Sequence, residues 1–177
     1  RSNPNDLFKL LTSNKAYNFN LTAPTIFILE CVFMYLSEDS SRRLLSAISD
    51  LCKLPLVVIY DPILQISKHE PSPFGSMMHQ HLKRAGVLPR ERPSSIETCV
   101  TVSLYQEKLF NCGFDAVVGC NMADAYESIV TENQRNHASS IEMLDELEEW
   151  ILLMSHYCFI SATTSAAASS LPAAVTA

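Results

Sequence analysis

Glu30 is the residue whose chemistry fits its surroundings least. It lies inside "FILECVFMY", a run apolar enough to be buried, and an ionised carboxylate is costly to bury without a partner. In a parallel α/β sheet, ligands bind beyond the carboxyl ends of the strands. Glu30 therefore belongs either at a strand end facing a ligand cleft or in a structural ion pair, and the residues alone leave both open. Tyr35, five positions on, precedes a serine suited to capping a helix. Its phenol could donate to an anionic substrate or simply cover the start of that helix. Asp61 closes the next apolar run and stands before Pro62, where turn formation is the more ordinary role than catalysis. His79 and His81 point in roughly opposite directions on a helix, and no paired Cys or His spacing suits a metal. No G-x-S-x-G elbow exists, and Cys31 and Cys158 fall in apolar strand-like runs, so nucleophilic catalysis has no candidate.

These positions depend on the elements that hold them. Asn5 to Asn14 has helical spacing at Leu7, Leu10 and Leu11, with Asn3 as a cap and Pro4 at the first helical position. Pro24 to Leu36 is a continuous apolar run suited to a strand buried on both faces. Ser37 then caps a helix with Glu38 and Asp39 in its first turn and a stripe at Leu44, Leu45, Ile48 and Leu51. Leu54 to Ile63 reads as a second buried strand. Gln65 to Ser95 is irregular, with four prolines framing a helical piece, "GSMMHQHLKRAG", and suits either a binding surface or a plain connection. Thr101 to Cys112 is a helix closed by Gly113, and Phe114 to Met122 a strand. Ser139 and Glu142 match a capping box before a helix from about Ser140 to Met154, with Leu144, Leu147 and Ile151 inward and the acids of "LDELEEW" in solvent. His156 to Thr164 is a final strand. Residues 165–177 are an Ala/Ser-rich tail of the kind that stays disordered.

Strands alternating with helices give an α/β fold with a mainly parallel sheet. The 177 residues suffice for one domain. Thirteen basic against nineteen acidic residues, a net charge of −6, argue against nucleic acid as a partner; the short basic cluster at Lys83, Arg84, Arg90 and Arg92 does not reverse that. Six cysteines without paired spacing suit a reduced, cytoplasmic setting. The longest apolar stretch is too short for a membrane span. None of the four glycines opens a helix after a strand as a phosphate cradle does, and the opening "RSNPNDLFKLL" reads as part of something longer.

At "PTIFILECVFMYL" and "SEDSSRRLLSAIS" the sequence resembles the leucine carboxyl methyltransferase family: a strand carrying Glu-Cys-Val, then a Tyr, then a capped helix. "SSIETCVTVSLYQEKLFNCGFDAV", "MADAYESI" and "SSIEMLDELEEWILLMSHYCFISATT" agree in the same order, so the similarity runs from about Asp6 to Thr164. The resemblance implies the C-terminal part of a class I methyltransferase fold over residues 1–164, with an antiparallel last strand. It implies S-adenosyl-L-methionine as cofactor and the C-terminal leucine carboxylate of a type 2A protein phosphatase catalytic subunit as acceptor. By resemblance Glu30 contacts the methionyl end of the cofactor and Tyr35 lines the substrate pocket, with Gln65 to Ser95 forming part of the cleft. The family's glycine-rich cofactor loop is not in this chain, so the chain alone is expected to be inactive, and it is expected to be monomeric. Two other readings are a related enzyme acting on a tRNA wybutosine precursor or a small-molecule carboxylate, and a non-catalytic partner-binding module.

Overall fold

The computed structural model describes residues 4–14, 17, 19–68, 70–90, 93–142 and 145–164. Helix α1 spans Pro4–Ser13, with Pro4 at its first position as the sequence predicts. The capping residue Asn3 and the tail 165–177 lie outside the described residues. Strand β1 is Pro24–Glu30, α2 Glu38–Leu51, β2 Leu54–Pro62, α3 Pro73–Arg84, the single turn α4 Ser95–Thr98, α5 Val102–Asn111 and β3 Ala116–Asn121. Then come α6 (Met122–Ile129), α7 (Glu132–Ile141), α8 (Leu147–Met154) and β4 (Tyr157–Thr163).

The sheet order is β1-β2-β4-β3. β1 and β2 are parallel, while β4 runs antiparallel between β2 and β3, so three of the four strands share one direction. The antiparallel last strand is the one expected. Side chains alternate across a sheet, and the register therefore sorts every strand into two faces. One face carries Phe27 and Leu29, Val57 and Ile59, and Cys158, Ile160 and Ala162. These join Phe8, Leu45, Ile48, Tyr105, Leu109 and Phe114 from the helices and the loop after α5 in a single core. The opposite face carries Ile26, Ile28 and Glu30 of β1, Val58 and Tyr60 of β2, Phe159 and Tyr157 of β4 and Val118 of β3.

Several local expectations need correction. The strand predicted over Pro24 to Leu36 ends at Glu30, because Cys31 takes a left-handed backbone with φ 52° and Phe33–Tyr35 wind into a 3-10 turn. Nor is β1 buried on both faces: its residues alternate between exposed and half-buried. The predicted helix from Ser140 to Met154 begins only at Leu147, as α8, while Ser140 and Ile141 are the last residues of α7. α7 is capped by Thr131, whose hydroxyl forms the actual capping box with the Gln134 side chain, and Glu142 follows its end in an extended conformation. Ser139-x-x-Glu142 has the same pattern but lies at a helix end, since a four-residue signature carries no information about which end it marks. In α8, Leu147 and Ile151 are exposed rather than inward; Trp150 reaches in instead, edge-on to Tyr126 with ring centroids 4.8 Å apart. Leu144 lies outside the described residues.

Candidate functional site

The carboxyl end of β1 is built by three interactions. Cys31 donates its backbone N–H to the Tyr60 carbonyl at 2.7 Å, which extends the β1 to β2 ladder by one step. The chain then turns back, and the Phe33 N–H donates to the Asp61 carboxylate at 2.9 Å. Ser37 caps α2 by accepting from the Ser40 N–H, while the Glu38 N–H donates to the Pro93 carbonyl at 2.9 Å. The turn carrying Glu30 and Tyr35 is thus tied to β2, to α2 and to the segment before α4.

Glu30 sits at the end of a parallel strand, as a ligand-facing carboxylate would, but exposed rather than buried. Among the described residues no cation forms an ion pair with it. Its lateral neighbour in the register is Tyr60. The Tyr60 ring stacks on Tyr157 of β4, with centroids 5.2 Å apart and planes 19° from parallel. Burial pushes both phenols up in pKa. The strand end is therefore a carboxylate with one half-buried tyrosine as its register neighbour and a second ring stacked on that tyrosine from β4. Tyr60 and Tyr157 escaped the sequence reading because the pairing that unites them joins positions 97 apart. The available signal was Tyr60 standing two residues from the end of its apolar run.

Tyr35 lies on the turn leaving β1, as predicted, and is 56% exposed. Asp61 is not a turn residue: it is fully buried within β2. One oxygen accepts from Phe33, and the other, Oδ1, has no hydrogen-bond partner, nor does the buried Tyr105 hydroxyl. Burial raises the Asp61 pKa to about 7, against the opposing pull of the Phe33 and Met34 N–H groups and of Lys108.

Behind this turn is a buried cation that the sequence reading did not single out. Lys108 of α5 is 1% exposed. Its Nζ donates to Glu38 Oε2 at 2.8 Å, to Ser41 at 2.5 Å and to Ser95 at 2.6 Å, and lies 5.4 Å from the Phe33 ring centroid. Glu38 also accepts from Thr98 at 2.5 Å and pairs with Arg42. Burial works against its ionised form, yet the Lys108 and Thr98 hydrogen bonds hold its pKa below the ordinary value. The clue was helical spacing: Lys108 shares the inward face of Tyr105 and Leu109.

The irregular stretch after β2 lines a cavity of about 270 Å³ with Ile66, Glu70, Pro71, Ser72, Pro73, Leu152 and His156. Neither Glu30 nor Tyr35 lines it. Ser72 caps α3 through the Gly75 N–H and bonds His156 Nε2 at 2.6 Å; the other ring nitrogen lies 2.8 Å from the Leu152 carbonyl. His79 pairs with Glu97 at 3.0 Å. All six cysteines are free thiols. No helix among the described residues is long and apolar enough to cross a membrane.

Strands and helices in this order, with an antiparallel last strand inserted beside a parallel pair, form an α/β fold with a mixed four-stranded sheet. The family model for leucine carboxyl methyltransferase matches residues 3–49, the stretch from α1 through β1 and the turn into α2. Leucine carboxyl methyltransferase 1 of Caenorhabditis elegans is 33% identical over 139 residues, covering 78% of this chain and 39% of that protein. The Arabidopsis thaliana homolog is 30% identical over 162 residues, 91% of this chain and 46% of its own length. tRNA wybutosine-synthesizing protein 4 of Rattus norvegicus is 24% identical over 142 residues, 80% of this chain but 19% of that protein. Over most of its length the chain is similar to leucine carboxyl methyltransferases, and it spans less than half the length of the curated relatives it matches.

Proposed function

We propose that this chain supplies part of the cofactor and substrate site of an S-adenosylmethionine-dependent methyltransferase acting on the C-terminal leucine carboxylate of a type 2A protein phosphatase catalytic subunit. One observation carries the reading: in a chain similar to this family, Glu30 stands at the carboxyl end of a parallel strand, exposed and next to Tyr60, on which Tyr157 stacks. An exposed carboxylate at a strand end next to a tyrosine fits the cationic ammonium and sulfonium groups of the cofactor. Bound S-adenosylmethionine would supply the electrophilic methyl group.

The residues of this chain then have a modest task. A C-terminal carboxyl group has a pKa near about 3.5 and is already ionised at neutral pH, so no general base is needed. What remains is orientation and exclusion of water. Glu30 holds the cationic end of the cofactor, and Tyr35, on the adjoining turn, offers a hydroxyl to the incoming carboxylate. Asp61 fixes that turn through the Phe33 N–H without touching either reactant.

The test is calorimetric titration of S-adenosylhomocysteine, first into the chain alone and then into a protein extended to the length of its relatives. The extended protein is expected to bind and to methylate phosphatase, and the chain alone to bind weakly or not at all. In the extended protein Glu30→Ala should weaken cofactor binding by about tenfold or more, the loss typical of a charge-assisted hydrogen bond. Tyr35→Phe should raise the KM for phosphatase and leave cofactor affinity alone. Normal cofactor affinity in the Glu30 variant removes that residue from the site.

A further inference from the structure

Ser72 and His156 are 84 positions apart in the chain and meet at the cavity that follows β2. The His156 ring is fully buried. Its Nδ1 lies 2.8 Å from the Leu152 carbonyl, and a carbonyl can only accept, so the neutral ring carries its proton on Nδ1. Nε2 is then an acceptor, and the Ser72 hydroxyl, 2.6 Å away, donates to it. A hydroxyl held on a base that a third group orients is the arrangement of an activated nucleophile.

The pair lies between two helix ends of opposite polarity. Ser72 is the N-cap of α3, and its oxygen accepts from the Gly75 N–H at 3.0 Å. His156 stands just past the C-terminus of α8 and bonds a carbonyl of that helix's last turn. The positive end of α3 favours an alkoxide on Ser72, and the negative end of α8 favours an imidazolium at His156. Both lower the cost of moving the proton from oxygen to nitrogen. Pro73 restricts Ser72 to the extended backbone it adopts (φ −96°, ψ 119°), and the Phe74 ring packs 4.8 Å from the imidazole between centroids. The cavity holds about 270 Å³, at the small end of ligand sites. Ile66 and Leu152 line it and are half-exposed, which leaves it open to solvent, and Glu70 adds an acid to the lining. That volume suits a short acyl group, and the acid repels an anionic one.

We propose that Ser72 and His156 form a catalytic dyad that hydrolyses small uncharged esters, at a site separate from the strand end that carries Glu30. The Ser72 oxygen attacks the ester carbonyl carbon as its proton passes to His156 Nε2. The tetrahedral adduct collapses and breaks the bond to the alcohol oxygen, which leaves with the proton from Nε2. Water then attacks the acyl-serine and gives a proton to Nε2; the Ser72 oxygen leaves, takes that proton back and frees the acid. Ester and water become acid and alcohol, with nothing oxidised or reduced.

The experiment treats the 177-residue chain with p-nitrophenyl acetate and, separately, with a small fluorophosphonate whose adduct is located by peptide mass mapping. Nitrophenol release above that of the urea-unfolded chain is expected, with one phosphonyl group per chain, on Ser72. Ser72→Asn keeps a helix cap and removes the nucleophile, so it should abolish both signals and leave the circular dichroism spectrum unchanged. His156→Gln should slow the reaction about a hundredfold or more, the share of a general base. Should that variant not fold, Ser72→Asn decides the question alone. No adduct on the folded chain, an adduct on another serine, ester hydrolysis that survives Ser72→Asn, or Ser72 labelling equally fast in urea each overturns the proposal and leaves Ser72 a helix cap only. Cofactor binding has no part in these readouts, so they stand or fall apart from the role proposed for Glu30.

Discussion

Asp61 should contribute stability that falls as pH rises. A group whose folded pKa lies above its unfolded one contributes stability that is complete below the unfolded value and is lost as pH climbs through the folded value. For Asp61 these values are 3.8 and about 7. At roughly 1.36 kcal/mol per pH unit the whole contribution is about 4 kcal/mol, of which about 3 kcal/mol falls between pH 5 and pH 8. The cause is burial, which outweighs the Phe33 and Met34 N–H groups and Lys108 that favour the carboxylate. Asp61→Asn keeps an acceptor for Phe33 and cannot ionise. Urea unfolding at pH 5 and pH 8 should show the unaltered chain losing about 3 kcal/mol over that interval beyond whatever the variant loses, since the remaining titrating groups are common to both. Equal slopes in the two proteins, or an unaltered chain that gains stability relative to the variant, would refute the reasoning.

Lys108→Met should destabilise the chain by about 3 kcal/mol, because Glu38 is left largely buried without its ammonium partner; the urea midpoint measures it. Gly75→Ala should cost at least about 2 kcal/mol, since a Cβ there would meet the Leu64 carbonyl oxygen at 1.8 Å and the backbone of α3 would have to shift. A thermal midpoint within a degree of the unaltered chain would show that α3 is not held against the segment after β2.

Pattern alone placed most of the elements of this protein. The Ser37 cap with its acidic first turn gave α2 within a residue, and the β-rich final run gave β4. Proline at the first helical position gave the start of α1. The resemblance through "FILECVFMYL" was enough to put Glu30 at a strand end. These features are local: capping, φ preference and hydrophobic period act over a few residues. Where pattern failed, the decision was made by partners distant in sequence. Apolarity could not say that β1 is an edge strand with one open face, because that depends on which strands flank it. A capping signature could not say whether Ser139 starts or ends a helix. Above all, the environment of a charge is tertiary. Asp61 looked like a turn residue until β2 carried it into the core beneath Phe33, and nothing in the sequence reading singled out Lys108, which α2 and α4 close around. Tyr60 and Tyr157 meet beside Glu30 only because an antiparallel last strand lies next to β2. Burial and register are properties of the assembled sheet, and no window of neighbouring residues contains them.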